Sequence, residues 1–317
     1  MNISTISISQ DPRTRYNTMA SSIQIPPIKI QGIKTKLIPL IRKNVRLDSD
    51  TLWVEPFMGS GVVGFNVAPP QAIFADINPY TIDFYQQIKE GRITSSIVRE
   101  FLQEEGHLLS LKDADHYYAV RERFNEKHAP LDFLFLNRSC FNGMIRFNSK
   151  NQFNTPYGHK RERFAKAYIT KIVNQVIFVE SRLRECDWTF LHQSFEKTLS
   201  GPFQGKTFIY CDPPYIGRHV DYFDSWDESN EKRLCRRLQE ANVPFMLSTW
   251  DHNEFRENVY LRTVWDFCHK LRAEHFYHVG AKETNRRPMV EAILTNYPLT
   301  DSLNRSTPIN QQLLLDI

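Results

Sequence analysis

Little in the sequence points to a metal centre, a disulfide framework or a membrane. Five cysteines are scattered along it as Cys140, Cys186, Cys211, Cys235 and Cys268. Because no two of them form a C-x-x-C pair, their spacing argues against a zinc site and favours a reducing compartment. No apolar run approaches the roughly 18 residues of a membrane span, and the polar N-terminus lacks the pattern of a secretion signal. We expect a cytoplasmic protein with neither a metal nor a membrane partner.

A strong excess of charge is also missing. Lys and Arg number 40 against 36 Asp and Glu, which leaves a net charge of +4. A polyanionic partner would therefore have to be bound by local basic clusters. The 317 residues are 41% hydrophobic, which is enough for a full core and excludes a disordered chain.

Strand and helix patterns alternate from Thr51 onward. The segments "TLWVEPF", "GVVGFNVA", "QAIFAD" and "PYTIDFYQQIKE" predict strand, helix, strand and helix in turn. Strands resume at "WTFLHQS", "TFIYCD" and "PFMLSTW", with a helix near 229–241, and "KLRAEHFYHVG" and "PMVEAILTNY" predict a hairpin around the basic turn "AKETNRRP". This order predicts an α/β fold: a Rossmann-like parallel sheet with a C-terminal antiparallel hairpin.

The alternation stops for about a hundred residues in the middle of the chain. Residues 93–127 and the segment "LDFLFLNRSCF" have helical patterns, and the polar stretch "NGMIRFNSKNQFNTPYGHKRERF" is typical of a functional loop. A further helix is predicted over 165–184. We predict a catalytic domain made of residues 23–90 and 165–300, an inserted and mainly helical lobe at 91–164, a flexible tail at 1–22 and a C-terminal tail at 301–317.

A glycine loop follows the first predicted strand. Gly59, Gly61 and Gly64 match G-x-G-x-x-G, and Asp76 ends the next strand, where an acid can bind two ribose hydroxyls. The loop fits a dinucleotide, S-adenosylmethionine, or a turn that only packs a helix on a sheet. Glu55 stands just before the glycines, where its carboxylate would repel a pyrophosphate and attract a methionine amino group. This position favours S-adenosylmethionine.

The tetrad Asp212-Pro213-Pro214-Tyr215 ends another apolar strand. The Asp212 side chain and the Pro213 carbonyl could accept both protons of an exocyclic amine, such as adenine N6, and free its lone pair for attack on a methyl group. Tyr215 offers a flat face for a base that has rotated out of a duplex. The same acceptors would serve cytosine N4, and the alternative without function is a proline turn with a capping Asp and a packed Tyr.

Together these segments resemble the Dam-like DNA adenine-N6 methyltransferases of the alpha-ordered class, in which the cofactor loop precedes a target-recognition lobe and a DPPY motif. The resemblance extends from about Pro27 to Tyr297 through "EPFMGSG", "ADINPY" and "CDPPY". It is most specific in "FLNRSCFNGMIRFNSKNQFNTPYG", which is close to the family signature LNR-x-x-x-NG-x-x-R-x-N-x-x-x-x-FN-x-P-x-G. The resemblance implies an S-adenosylmethionine-dependent enzyme acting on double-stranded DNA.

The resemblance also implies a set of cofactor-binding residues: Lys34, Glu55, Pro56, Phe57, Gly59, Gly61, Asp76, Ile77, Ser194, Phe195 and Asp212. In this set Asp76 binds the ribose, and Ser194 and Phe195 lie near the cofactor adenine. Lys34 belongs to "KIQGIK", where the family usually has K-W-A-G-G-K, so the segment departs from the family pattern at Ile30, Gln31 and Ile33.

DNA contacts are implied for a second set: Lys29, Asn137, Arg138, Phe141, Asn142, Met144, Arg146, Asn154, Pro156, Tyr157, Arg218 and Arg286. Arg146 could contact a guanine edge through two hydrogen bonds, and Phe141 could fill the space left by a flipped adenine. The basic runs 159–163 and 286–287 are candidates for phosphate contacts.

The leading hypothesis is sequence-specific transfer of a methyl group to N6 of a flipped adenine. We expect a monomer, either solitary or beside a cognate restriction endonuclease that acts separately. Cytosine-N4 methylation, a nicotinamide oxidoreductase and a catalytically silent DNA-binding module are the alternatives, and intact Asp212 and Tyr215 argue against the last. The resemblance raises GATC as a target, while Cys140 and Met144 lie where such enzymes read bases.

Overall fold

Seven strands form one sheet in the computed structural model, which describes residues 22–203, 205–216, 226–278 and 286–299, with backbone alone at 274–278 and 286–289. The strands are β1 (Leu52–Glu55), β2 (Gln71–Asp76), β3 (Asp187–His192), β4 (Thr207–Cys211), β5 (Phe245–Asn253), β6 (His269–His278) and β7 (Arg286–Thr295). Their order is β3-β2-β1-β4-β5-β7-β6. Neighbours among β1 to β5 pair in parallel, and β7 runs antiparallel to both β5 and β6.

The predicted Rossmann-like sheet with a C-terminal hairpin is confirmed, with one correction to the hairpin. Arg286 and Arg287, which we predicted in the turn, pair with β6 as the first residues of β7 and precede Pro288, the first residue of the predicted strand. Pairing between β7 and β5 ends at Met289. Pro288 therefore lies where β7 has a single neighbour, and its missing N–H interrupts the sheet less there.

Ten α-helices accompany the strands within the described ranges. They are α1 (Ile38–Asn44), α2 (Val62–Val67), α3 (Pro79–Lys89), α4 (Ser95–Lys112), α5 (Ala114–Lys127), α6 (Pro130–Ser139), α7 (Lys166–Glu185), α8 (Phe195–Thr198), α9 (Glu228–Ala241) and α10 (Tyr260–Thr263). Short 3-10 turns occupy Thr35–Leu37, Phe141–Gly143 and Arg161–Phe164. Within the described ranges no helix has the length and apolar character needed to cross a membrane.

Residues that alternate along the strands build two hydrophobic clusters, one on each face of the sheet. Trp53 of β1 belongs to the first and stacks on Phe208 and Tyr210 of β4, while the next residue, Val54, belongs to the second with Ile209. This alternation follows from the two-residue repeat of a strand. The buried residues of α4 to α7 join the first cluster. The inserted helices therefore share a core with the sheet.

The long polar stretch after α6 is irregular, as predicted, but it is packed against the rest of the protein. Isolated antiparallel bridges join Cys140 to Tyr157 and Phe147 to Phe153. The Phe147 ring stacks on Tyr80 of α3, with the two ring centroids 4.9 Å apart. These contacts hold the stretch beside the carboxyl ends of the strands, where an open α/β sheet binds its ligands.

Candidate active site

A cleft of about 300 Å³ opens at the carboxyl ends of β1, β2 and β4. Its walls come from the N-terminal segment 30–34, the loop from β1 to α2, the end of β2, the tetrad after β4, α8 and the start of α9. Thirteen residues predicted for the cofactor or for catalysis line it: Lys34, Glu55, Pro56, Phe57, Gly59, Asp76, Ile77, Ser194, Phe195, Asp212, Pro213, Pro214 and Tyr215. The fold brings these distant segments together.

The glycines of the loop have different tasks. Gly59 lines the cleft with a backbone φ of 51°. Gly61, which we predicted to bind the cofactor, does not line it: Gly61 begins α2 in the left-handed region, and a Cβ there would lie 2.8 Å from the Phe65 ring. A Cβ on Gly64 would overlap Phe74. Gly61 and Gly64 therefore shape and pack the start of the helix.

Asp76 ties the glycine loop to the end of β2. One carboxylate oxygen accepts a hydrogen bond from the Gly59 N–H at 2.7 Å, and the other accepts from the Asn78 N–H at 2.9 Å. Burial raises the pKa of Asp76, and these two hydrogen bonds oppose that rise. A carboxylate oxygen has a second lone pair, so both oxygens can still accept from ribose hydroxyls.

Glu55 is 2% exposed, and its Oε2 accepts from the Trp53 indole N–H at 2.8 Å. Burial raises the pKa of Glu55 well above its usual value, and the nearby Asp212 and Asp76 charges raise it further. The carboxyl groups of Glu55, Asp76 and Asp212 therefore influence one another in the cleft, and Lys34 is a cation beside Asp212. A positively charged ligand would relieve their mutual repulsion.

Lys34 and Asp212 form the ion pair at the centre of the cleft. The Lys34 ammonium lies 2.9 Å from Asp212 Oδ1, donates to the Gly32 carbonyl at 2.7 Å and lies 4.8 Å from the centroid of the Tyr215 ring. Burial raises the pKa of Asp212 to about 6, against the opposing effect of Lys34. Above that pH the carboxylate is ionised and can accept hydrogen bonds.

Tyr215 is held by two residues that our reading of the sequence missed. Its hydroxyl donates to Glu291 Oε1 at 2.9 Å, and its ring packs with Trp250. Glu291 carried a signal in the sequence, because it is a charged residue inside the apolar strand "PMVEAILTNY". Trp250 carried none, since it ends an apolar run that predicts a buried strand.

Three aromatic rings close the other end of the cleft. Phe57 stacks on Phe195 with centroids 5.3 Å apart, and Trp226 meets both rings at 5.4–5.5 Å. Glu231 Oε2 accepts from the Trp226 indole N–H at 2.6 Å, and its Oε1 accepts from Trp265 at 2.7 Å. Trp226 was not predicted from the sequence. Further cleft residues that were not predicted are Met58, Ser60, Asn78, Ile145, Glu196, Asn230 and Arg233.

Part of the predicted DNA-binding set lies on one surface beside the cleft. Met144 lines the cleft itself, and Phe141 is 50% exposed on the adjoining turn with Asn142. The Arg146 Nε donates to Asn154 Oδ1 at 2.8 Å. Pro156 is exposed nearby, where its carbonyl accepts from the Phe141 N–H at 2.9 Å. This surface is contiguous with the tetrad through the cleft.

Lys29 is half-buried beneath this surface. Its side chain lies against Gly143, and burial together with the charge of Arg138 lowers the pKa of Lys29 to about 8. A phosphate or another anion beside it would favour its charged form.

Three residues of the DNA-binding prediction are buried, which corrects that prediction. Asn137 is fully buried, accepts from the Lys29 N–H at 2.8 Å and donates to the Lys29 carbonyl at 2.9 Å. Arg138 is buried, donates to the Gln175 side chain, and has a pKa lowered to about 10 by burial. Tyr157 is buried as well and stacks on Tyr117. All three make internal contacts that support this surface from beneath.

The remaining basic positions are only partly described. Arg218 lies outside the described residues, and Arg286 opens β7 with a side chain that is likewise outside them. In the run 159–163, the Arg161 guanidinium lies 2.5 Å from the Asp113 carboxylate. One of the positive charges of this run is therefore paired within the protein. No group of three or more potential metal ligands occurs in the part of the chain that the structure describes.

The sheet order and the cleft define a Rossmann-like methyltransferase. Residues 31–284 match the family model of the D12 class N6 adenine-specific DNA methyltransferases. This match covers well over half of the chain, and the chain belongs to that family.

Similar proteins include both modification enzymes and DNA adenine methylases. The type II methyltransferase M.FokI of Planomicrobium okeanokoites is 29% identical over 86% of this chain and 42% of its own length. The DNA adenine methylase of Serratia marcescens is 30% identical over 71% of this chain and 83% of its own. The retron Ec67 DNA adenine methylase of Escherichia coli is 31% identical over 84% of this chain and 90% of its own. The chain thus spans about two fifths of M.FokI and most of the other two.

Proposed function

We propose that this protein transfers a methyl group from S-adenosylmethionine to N6 of an adenine that has been flipped out of double-stranded DNA. The observation that carries the proposal is the grouping of Lys34, Asp212 and Tyr215 in a carboxylate-lined cleft. Membership of an adenine-specific family supports the choice of base.

The cleft fits S-adenosylmethionine in charge and in shape. The carboxylates of Glu55 and Asp212 suit a ligand that carries an ammonium and a sulfonium group, and Asp76 can accept from ribose hydroxyls. Phe57, Phe195 and Trp226 provide flat apolar surfaces for a purine. When bound, the cofactor supplies an electrophilic methyl group on its sulfonium.

The protein's own residues activate and position the amine. Ionised Asp212 and the Pro213 carbonyl accept hydrogen bonds from the two N–H groups of the amine. These hydrogen bonds draw the nitrogen towards a tetrahedral geometry and free its lone pair for attack. Lys34 helps to keep Asp212 ionised, because its ammonium favours the charged carboxylate. Tyr215 presents its ring to the flipped base. The proton on the methylated nitrogen is released after transfer, and the enzyme forms no covalent bond.

Recognition of DNA falls to the surface around Phe141 and Arg146. On this proposal residues 91–164 are a target-recognition lobe on a catalytic domain of residues 23–90 and 165–300. Phe141 fills the space left by the flipped base, and Arg146 contacts a base edge. GATC is the first target to test. The protein acts as a monomer, either alone or beside a separate restriction endonuclease.

The test is methylation of unmodified plasmid DNA with labelled S-adenosylmethionine, followed by sequencing that locates modified bases. We expect N6-methyladenine at one recurrent motif, and no transfer by the Asp212→Ala variant although it still binds DNA. Methylated cytosine would favour the N4 alternative. Tighter binding of NAD than of S-adenosylmethionine would favour the oxidoreductase. Cofactor binding without transfer to any unmodified DNA would refute the proposal.

A further inference from the structure

Tyr215 is anchored to two strands, β5 and β7, that carry no residue predicted for the cofactor or for catalysis. Trp250 of β5 and Glu291 of β7 are direct cross-strand partners in the antiparallel pair. The Tyr215 ring packs with Trp250, and the Tyr215 hydroxyl donates to Glu291 Oε1 at 2.9 Å. Tyr215 and Glu291 are 8% and 2% exposed, so solvent hardly reaches this hydrogen bond.

Glu291 is flanked by apolar residues in its own strand. Val290, Ala292, Ile293 and Leu294 are all buried hydrophobic residues of the same strand. A carboxylate is costly to bury in such a place unless it is hydrogen-bonded, and an apolar residue would stabilise the strand more simply. Core packing therefore does not account for this glutamate. Its hydrogen bond to Tyr215 links it to the tetrad.

We propose that Glu291 is a positioning residue for methyl transfer, which fixes the position of the Tyr215 ring by accepting a hydrogen bond from its hydroxyl, while packing against Trp250 sets the plane of the ring. The inference rests on the proposed function, in which this ring receives the target base. A tyrosine side chain with a free hydroxyl can change its χ1 rotamer and swing the ring away. Anchoring the hydroxyl removes that freedom, and small displacements of a reacting group are costly in rate.

Glu291 also acts electrostatically on Asp212. Among the described residues the Lys34 charge lowers the pKa of Asp212 and the Glu291 charge raises it, while Asp212 in turn raises the pKa of Glu55. The adjoining Tyr210 and Cys211 have pKa values well above their usual range and stay neutral. Removing the Glu291 charge should therefore lower the pKa of Asp212, and activity should persist to a lower pH.

Three variants separate these two effects. Glu291→Leu removes the acceptor and the charge, Glu291→Gln keeps an acceptor without the charge, and Tyr215→Phe keeps the charge without the hydroxyl. We expect Glu291→Leu and Tyr215→Phe each to lower kcat by about 10- to 100-fold, with KM for S-adenosylmethionine changed by less than about twofold. Glu291→Gln should retain most of kcat. The acid limb of kcat should move to lower pH in both Glu291 variants and stay in place in Tyr215→Phe.

The double variant tests whether the two residues act through one contact. Combining Glu291→Leu with Tyr215→Phe should cost no more than Glu291→Leu alone, because both remove the same hydrogen bond. Glu105→Gln is the matched control, since Glu105 is a buried glutamate of α4 that is paired with His116 and Arg123. We expect its kcat to stay within about twofold of that of the wild type.

A measurement without DNA separates this inference from the proposed function. Tyr215 replaced by 3-fluorotyrosine should give one sharp fluorine NMR signal in the otherwise unchanged protein and a shifted or broadened signal with Glu291→Leu. Glu105→Gln should leave that signal unchanged. A wild type that methylates no DNA would refute the proposed function, yet this spectrum would still decide the anchoring. An unchanged spectrum, additive losses in the double variant, or full kcat in Glu291→Leu would overturn the assignment of Glu291.

Discussion

The Lys34 ammonium lies 2.9 Å from Asp212 Oδ1, although the two residues are far apart in the sequence. This ion pair joins the N-terminal segment to the tetrad after β4. Lys34 is buried and also donates to the Gly32 carbonyl, so its position is set by the protein interior. The N-terminal segment is therefore part of the candidate active site and controls the charge of its central carboxylate.

Activity should depend on the ionisation of Asp212. Its pKa is raised to about 6. Only the ionised form can both pair with the Lys34 ammonium and accept a strong hydrogen bond from the amine. We expect kcat to be constant above pH 7 and to fall as the pH drops through about 6. A pH profile of single-turnover rates checks this, and a rate that is flat down to pH 5 would contradict the assigned role.

Replacing Lys34 should move that transition upward. Lys34→Met removes the charge that favours ionised Asp212, and loss of a close opposite charge raises a carboxyl pKa by about 1 to 3 units. We expect the acid limb to move to about pH 7 or above and the rate at pH 6.5 to drop by about threefold or more. Lys36→Met, which changes an exposed lysine two residues away, is the control. If the pH profile of Lys34→Met matched that of the wild type, Lys34 would not control the ionisation of Asp212.

Cofactor binding should release a proton from Glu55. The raised pKa of Glu55 favours its neutral form in the free protein, and a bound ammonium would favour the ionised form. The buffer takes up the released proton. Titration calorimetry at pH 7 in two buffers of different ionisation enthalpy should therefore give different apparent binding enthalpies. In Glu55→Gln we expect smaller differences and about tenfold weaker binding. Equal heats for the wild type would show that Glu55 does not face the ammonium.

Trp226 should contribute to cofactor affinity. It meets Phe57 and Phe195 at the aromatic end of the cleft, and an aromatic pair contributes about 0.5–1.5 kcal/mol beyond its buried area. We expect Trp226→Ala to raise the Kd of S-adenosylmethionine by about tenfold, and Glu231→Leu to raise it less by releasing the indole N–H. Tyr168→Ala, on an exposed part of α7, should leave the Kd unchanged. Equilibrium dialysis with labelled cofactor measures all three.

Replacing Arg146 should affect sequence preference, whereas replacing Asn137 should affect the stability of the fold. If Arg146 contacts a base edge as proposed, Arg146→Ala should relax sequence preference by about 1–3 kcal/mol without unfolding the protein. Asn137→Ala removes internal hydrogen bonds to Lys29 and Gly143 and should destabilise the fold by about 1–3 kcal/mol. Thermal unfolding and methylation of oligonucleotides with single-base changes distinguish the two. Preserved stability in Asn137→Ala would contradict its structural role.

The fold could be predicted closely where local pattern decides it. Strands β1, β2 and β4 begin and end within two residues of the predicted segments, because apolar runs bounded by glycine and proline specify a buried strand. The basic residues of the hairpin were misplaced for the opposite reason. Arg286 and Arg287 have no local preference for a strand, and pairing with β6 is what makes them part of one.

The sequence by itself determined the order of the elements, the glycine loop, the tetrad and thirteen of the residues that line the cleft, because these belong to contiguous patterns with their own local physics. Only the tertiary structure decided which side chains of the LNR segment face solvent, since Asn137 and Arg138 are buried while Phe141 is exposed. It also decided that Lys34 pairs with Asp212 and that Glu291 holds Tyr215. These contacts join residues that are distant in the chain, and burial and charge pairing arise only when packing brings such residues together.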